Sequence, residues 1–219
     1  MNLSLENVSH TANDKAYIRD VNLTIEHGDC CVIKGKSGCG KSLLFSILSD
    51  IIRPDNGHVL IDGVHINSMS KKQYDDYKKN MGVIFQLPAL ISNLTVKENL
   101  LLPLNRYLTD VCLEKKENIV SQKCEEIGLK DYLNKRTEHL SIGMASLVGV
   151  ARATLLKPKL VIWDSPINEV DNDWVDYELQ LIQSMKNDAV TQILFSNRHV
   201  IDSLCSSRFY LEQGKCYAA

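Results

Sequence analysis

The sequence predicts an α/β fold with a mixed sheet core, an antiparallel β subdomain and an inserted helical subdomain. Three observations predict it. Four short apolar runs, CCVIKG, MGVIFQ, KLVIWD and QILFSN, have the length of buried strands. A glycine-rich loop links the first of them to a helical pattern. From about Leu87 to Lys157 the texture turns leucine-rich, charged and helical in period. The 219 residues are therefore expected to form one domain, with 1–86 and 159–219 as the α/β core and 87–158 as the helical insert.

The elements follow in order. LSLENVSH alternates, with Leu3, Leu5 and Asn7 on one face, and VNLTIEHGD repeats the pattern with Val21, Leu23 and Ile25, so both read as antiparallel strands over a core. CCVIKG is a central strand feeding a loop. KSLLFSILSDIIRP then places Leu43, Leu44, Ile47, Leu48 and Ile51 at helical spacing, up to the stop at Pro54. HVLIDGVHI reads as a hairpin turning at Asp62-Gly63. MGVIFQ is a strand that presents Gln86 at its end. In the insert, KKENIVSQKCEEIGL is an amphipathic helix closed by Gly128. LVIWD and QILFS return to strand texture.

Composition excludes several classes. A net charge of -2 offers no basic face for nucleic acid. No window nears the roughly 18 apolar residues of a membrane-spanning helix, and MNLSLENVSH lacks the build of a signal peptide, so a soluble, intracellular chain is expected. Seven cysteines with no C-x-x-C suit neither a disulfide scaffold nor zinc and read as reduced thiols. The six histidines show no metal-binding pairing and read as scattered surface residues.

GKSGCGKS, from Gly35 through Lys36, Ser37, Gly38, Cys39, Gly40 and Lys41 to Ser42, with Leu43 following, matches G-x-x-x-x-G-K-[ST] between a strand and a helix. Glycines let backbone N–H groups converge on phosphate oxygens, and the helix start adds partial positive charge. Lys41 is placed to reach the β- and γ-phosphates, and Ser42 to hold magnesium. Cys39, for all its place at a helix start, reads as incidental.

Further residues separate this loop from its many relatives. Gln86 follows Ser42 by 44 residues, Leu140-Ser141 with Gly143 opens a helix, and Asp164 follows Ser141 by 23. Over nearly the whole chain this order resembles the ATP-binding subunits of ABC transporters, which implies a P-loop NTPase of ABC type that binds ATP and Mg²⁺. The resemblance makes Gly35–Ser42 the Walker A loop, Gln86 the residue near magnesium and the transport partner, and LSIGM, 140–144, the signature motif. It makes Asp164 the magnesium-side aspartate and Asp171 an aspartate of the dimer seam. Two such domains would sandwich two ATP molecules, each between the Walker A of one chain and the signature of the other. A homodimer or a heterodimer with a second ATP-binding subunit, seated on a transmembrane permease at the cytoplasmic face of the inner membrane, is thereby implied.

Four positions depart from that pattern. Ser165 stands where the family carries the glutamate that polarises water, and a hydroxyl of high pKa is no base. Asn197 stands at the switch histidine and carries no charge, with His199 two residues on. Ile142 replaces the first signature glycine, where a β-branched side chain crowds the backbone. Ala12 replaces the ring that stacks on adenine, with Tyr17 as a nearby substitute. Impaired or absent hydrolysis with retained binding is the expectation.

FQLPALISNLTVKENLLLPL resembles ATPases of lipid and lipoprotein traffic. Met144 and the spacing in SMSKKQYDDYKKNMGVIFQ favour the phospholipid-trafficking (Mla, Mce-associated) branch, and NLTVKENLLLPL suits lipoprotein-release and macrolide-exporter ATPases equally. That branch carries a C-terminal extension, so contacts made by such a tail are expected to be missing after Ala219. The rival readings are a non-catalytic module stabilised by ATP and, on weaker grounds, a kinase or GTPase, which would leave LSIGM and the Gln86 spacing unexplained.

Overall fold

The structure, a computed structural model, describes residues 1–12, 15–166 and 172–218. Its centre is a six-stranded sheet built from β3 (Cys30–Lys34), β6 (Met81–Ile84), β7 (Leu160–Asp164), β8 (Thr191–Phe195), β9 (Ser207–Glu212) and β10 (Lys215–Ala218). The order is β10-β9-β3-β8-β7-β6, parallel throughout except for the β9–β10 hairpin. Alternate residues explain why the central runs are apolar without a break. Cys31, Ile33, Leu160, Ile162, Ile193 and Phe195 face one core, while Cys30, Val32, Val161, Trp163 and Leu194 face another. Helix α6 (Asn172–Asn187) closes the second core with Trp174, Ile182 and Met185.

The first core is shared with the antiparallel sheet β2-β1-β4-β5, made of β1 (Leu3–Ala12), β2 (Lys15–Ile25), β4 (Asn56–Ile61) and β5 (Val64–His65), and with helix α1 (Lys41–Leu48). The tight turn falls at Asp62 and Gly63, both at positive φ, as a two-residue hairpin requires. One expected face is corrected. Asn7 does not follow Leu3 and Leu5 into the core: it takes φ 51, the β1–β2 register shifts between Leu5 and Val8, and Val8 is buried instead.

Helix α1 is also shorter than its apolar spacing suggests. Asp50 adopts φ 58 and Ile51 N–H bonds back to Ser46 C=O at 2.9 Å, a left-handed stop well before Pro54. Asp50 is held there by Arg53 at 3.1 Å, Lys78 at 3.6 Å and the Tyr74 hydroxyl at 2.7 Å, and Ile51 is left 53 % exposed. Strand β6 likewise ends at Ile84, so Gln86 belongs to the following turn.

Between β6 and β7, helices α3 (Val96–Tyr107), α4 (Leu113–Glu126) and α5 (Ile142–Thr154) pack around their own apolar cluster, including Val96, Leu100, Leu104, Val120 and Val148. Gly128 at φ 71 ends α4 and lets Leu129 N–H return to Cys124 C=O at 2.7 Å. Asn99, fully buried in α3, grips the preceding loop: its Oδ1 accepts from Ile91 N–H at 3.0 Å and its Nδ2 donates to Ile91 C=O at 3.1 Å. Helix α2 (Lys71–Lys79) starts on a capping box formed by Ser70 and Gln73.

Candidate nucleotide site

Parallel register brings the site together. Ile33 pairs with Phe195, and Asp164 pairs with Phe195 on its other side, so the carboxyl ends of β3, β8 and β7 lie side by side. Ligand sites of open parallel sheets form at this edge. The loop from Gly35 to Gly40 leaves β3 and enters α1 through Gly38 at φ 77 and Gly40 at φ 108. Gly40 caps α1 without a side chain, and the first turn carries no acidic residue, which leaves the helix start suited to an anion. A Cβ on Gly35 would stand 2.5 Å from Leu211 C=O and 2.6 Å from Cys39 Sγ, so only glycine fits. The Lys41 ammonium lies over the loop and donates to the carbonyls of Gly35 and Lys36. Ser42 is exposed on the first turn of α1, and Leu43 packs against the core.

Asp164 ends β7, half-buried, with Ser165 Oγ 3.5 Å from its Oδ1. Burial pushes the Asp164 carboxyl above its ordinary range, against the opposing pull of Ser165 and the Lys41 charge. For such a carboxyl the folded state holds its proton to higher pH than the unfolded state, so Asp164 lowers stability as pH rises through the carboxylate range. Asp164→Asn is therefore expected to raise the thermal midpoint of the nucleotide-free chain at pH 7 relative to wild type. The difference shrinks toward pH 3, and an equal gap at both pH values would contradict it.

Ser165 takes the left-handed φ 52 and donates its N–H to Phe195 C=O at 2.9 Å. Asn197 lies beyond the end of β8, and both ends of its amide are engaged by the loop: Oδ1 accepts from Gly35 N–H at 3.0 Å and Nδ2 donates to Gly35 C=O at 2.9 Å. His199, two residues on, also borders the cavity beside the phosphate loop. Its ring is 92 % exposed and turns to Asp202 at 3.2 Å.

A cavity of about 900 Å³ runs beside the loop, lined by Gly35 through Cys39, Asn197, Tyr17 and Tyr210 among others. Tyr17 thus stands within the space that adjoins the phosphate loop. A smaller cavity of about 140 Å³ gathers Gln86, Asp164 and Ser165 with Ile142, from the start of α5, and the buried Glu178. Ser141 caps α5, its Oγ accepting from Met144 N–H at 3.3 Å, and Gly143 lies in the first turn. Neither Ser141 nor Gly143 lines the loop cavity of its own chain. Asp171 lies outside the described residues.

Three features were not foreseen. Lys34, buried at the end of β3, pairs with Asp202 at 2.6 Å, and although burial opposes it, bonds from Lys34 and His199 hold that carboxyl below its ordinary range. A lysine closing an otherwise apolar strand is the sequence signal that could have flagged it. Tyr210 and Glu178 have no comparable local signal.

Comparison with known proteins places this geometry. The family profile described as "ABC transporter" matches residues 18–168. The chain belongs to the ABC transporter family. It is an ABC ATP-binding cassette: it is 30 % identical to the ABC transporter ATP-binding protein YxdL of Bacillus subtilis, over 91 % of this chain and 78 % of the relative. It is also 30 % identical to the intermembrane phospholipid transport ATP-binding protein MlaF of Escherichia coli, over 84 % of this chain and 68 % of the relative. The lipoprotein-releasing system protein LolD of Leptospira interrogans is 31 % identical, over 88 % and 80 %. Among solved structures, the ATP-binding cassette MJ0796, as a dimer bound to ADP and Pi, superimposes with a TM-score of 0.87 at 25 % identity, covering 97 % of this chain and 95 % of that one.

The residues of the cassette fit Mg-ATP. The glycine cradle, the uncapped start of α1 and Lys41 suit a polyphosphate. Ser42, Asp164 and Gln86 supply oxygen donors, the kind magnesium takes together with phosphate and water. Among the described residues no cluster of three histidine, cysteine or acidic side chains competes for a softer metal. No described helix is long and apolar enough to cross a membrane.

Proposed function

We propose that this ATP-binding subunit binds Mg-ATP in the Gly35–Ser42 loop and hydrolyses it slowly or not at all, in a dimer coupled through the Gln86 turn to a transmembrane permease. The observation that carries the reading is Ser165 beside Asp164: a hydroxyl occupies the position of the base, and Asn197 is committed to the loop. Lys41 serves the β- and γ-phosphates, and Ser42, Asp164 and Gln86 serve magnesium, which when bound neutralises charge on the phosphates. Ser141 and Gly143 would face the nucleotide of the opposing subunit, where Ile142, 68 % exposed, crowds the contact. Asp171 would line the seam. Equilibrium titration tests it: Mg-ATP is expected to bind the wild type, and Lys41→Ala to bind at least tenfold more weakly. Equal affinity of the two would sink the reading.

For cargo, we favour lipid or phospholipid traffic at the inner membrane, supported by Met144, by the Ser68-to-Gln86 spacing and by the 30 % identity to MlaF. The similar identity to LolD supports lipoprotein release as the alternative. The engaged amide of Asn197 favours a second reading of activity, a non-catalytic module in which ATP is a stabilising ligand, worth about 2.7 kcal/mol at a hundred times its Kd. Phosphate release that disappears in Lys41→Ala would exclude that module.

A further inference from the structure

We propose that Asn197 is a latch on the phosphate loop. Its side-chain amide fixes Gly35, and with it the cradle for the inner phosphates, instead of sensing the terminal phosphate. Two bonds carry this. Gly35 N–H donates to Asn197 Oδ1 at 3.0 Å, and Asn197 Nδ2 donates to Gly35 C=O at 2.9 Å. The two contacts fix which end of the amide is oxygen, since a flipped amide would set carbonyl against carbonyl and N–H against N–H. The same Gly35 carbonyl accepts from Lys41, so one peptide unit joins the tail of β8, the first residue of the loop and the start of α1. Gly35 is itself confined to glycine, since Leu211 C=O and Cys39 Sγ fill the space a Cβ would need.

The chemistry of the residue suits this role and not the switch role. An amide presents an acceptor oxygen and a donor nitrogen side by side on one carbon, matched to the N–H and C=O of a single residue. Neutral histidine carries its donor and acceptor on opposite edges of the ring and cannot meet both. The fold uses the same grip elsewhere, where buried Asn99 holds Ile91 N–H and C=O at 3.0 and 3.1 Å and orders the loop before α3. For Asn197 to reach a terminal phosphate it would have to release Gly35, leaving two loop groups without these partners.

The nucleotide half of this inference rests on the ATP-binding reading above; the loop half does not. The test compares wild type with Asn197→Ala, Asn197→His and Asn197→Gln by hydrogen exchange at the Gly35 amide and by dissociation constants for Mg-ADP and Mg-ATP. The alanine and histidine variants are expected to lose protection at Gly35 by about tenfold. They are expected to weaken ADP and ATP by the same factor, about three- to tenfold, with the nucleotide-free chain still unfolding in one cooperative transition. Glutamine, carrying the same groups one carbon further out, is expected to recover part of both losses. Loss confined to ATP would mean a terminal-phosphate contact and overturn the latch, as would unchanged exchange at Gly35. Should the alanine variant fail to fold, the histidine variant supports the same comparison. If no variant, nor wild type, binds nucleotide, the ATP-binding reading fails, while exchange at Gly35 still decides the latch.

Discussion

Ser165→Glu is expected to raise steady-state phosphate release by about 10²-fold or more, within the 10²- to 10⁴-fold that a positioned general base contributes. The position can accept the change. Ser165 already takes φ 52, and serine and glutamate both carry an unbranched Cβ, so the backbone cost is similar in each. The bond from its N–H to Phe195 C=O holds the residue at the mouth of β7 whatever the side chain. The new carboxylate would stand next to Asp164, whose own carboxyl burial already pushes up. Two neighbouring carboxyls raise each other's affinity for a proton, which brings the new group closer to a base that works near neutral pH.

Adding Asn197→His separates chemistry from binding. The double variant is expected to turn over faster still at saturating Mg-ATP but to require more ATP to saturate, because the histidine releases Gly35. Phosphate-release assays across ATP concentration, with Lys41→Ala added as background, read both. No gain in either variant, with Mg-ATP demonstrably bound, would move the block from Ser165 to Ile142 at the start of α5.

What could be read in the sequence is what neighbours in the chain determine. The glycine spacing of the phosphate loop and the burial of CCVIK, LVIWD and QILF depend on local pattern, the latter on continuous apolar runs of strand length that the structure buries on both faces. Asn7 and Asp50 escaped because each adopts positive φ, which no apolar count anticipates: one bulges β1 and the other stops α1. The bond between Asn197 and Gly35 escaped for another reason. It spans 162 positions and exists because β3 and β8 are neighbours in the sheet, an adjacency that hydrophobic pattern does not specify. The type of residue at 197 therefore announced what it could not do, and only the sheet order revealed what it holds.

Phe195→Ala is expected to cost about 3–5 kcal/mol of unfolding free energy, the range for truncating a buried aromatic. The ring is 1 % exposed and meets Phe45 of α1 edge-on, centroids 5.7 Å apart, and Phe45 in turn meets Phe85 at 5.6 Å. These edge-to-face rings pack against α1 in the first core, so the cavity opens beside Phe45. The main-chain bond to Ser165 survives the substitution, because it uses the carbonyl of residue 195. Stability and site therefore separate: the loss falls on α1 packing, and Phe195→Leu, which fills most of the space, is expected to lose less than half as much. With typical domains stable by about 5–15 kcal/mol, the alanine variant is expected to unfold at markedly lower urea, and saturating Mg-ATP to restore part of the midpoint. A loss below about 1 kcal/mol would show that α1 does not depend on this ring.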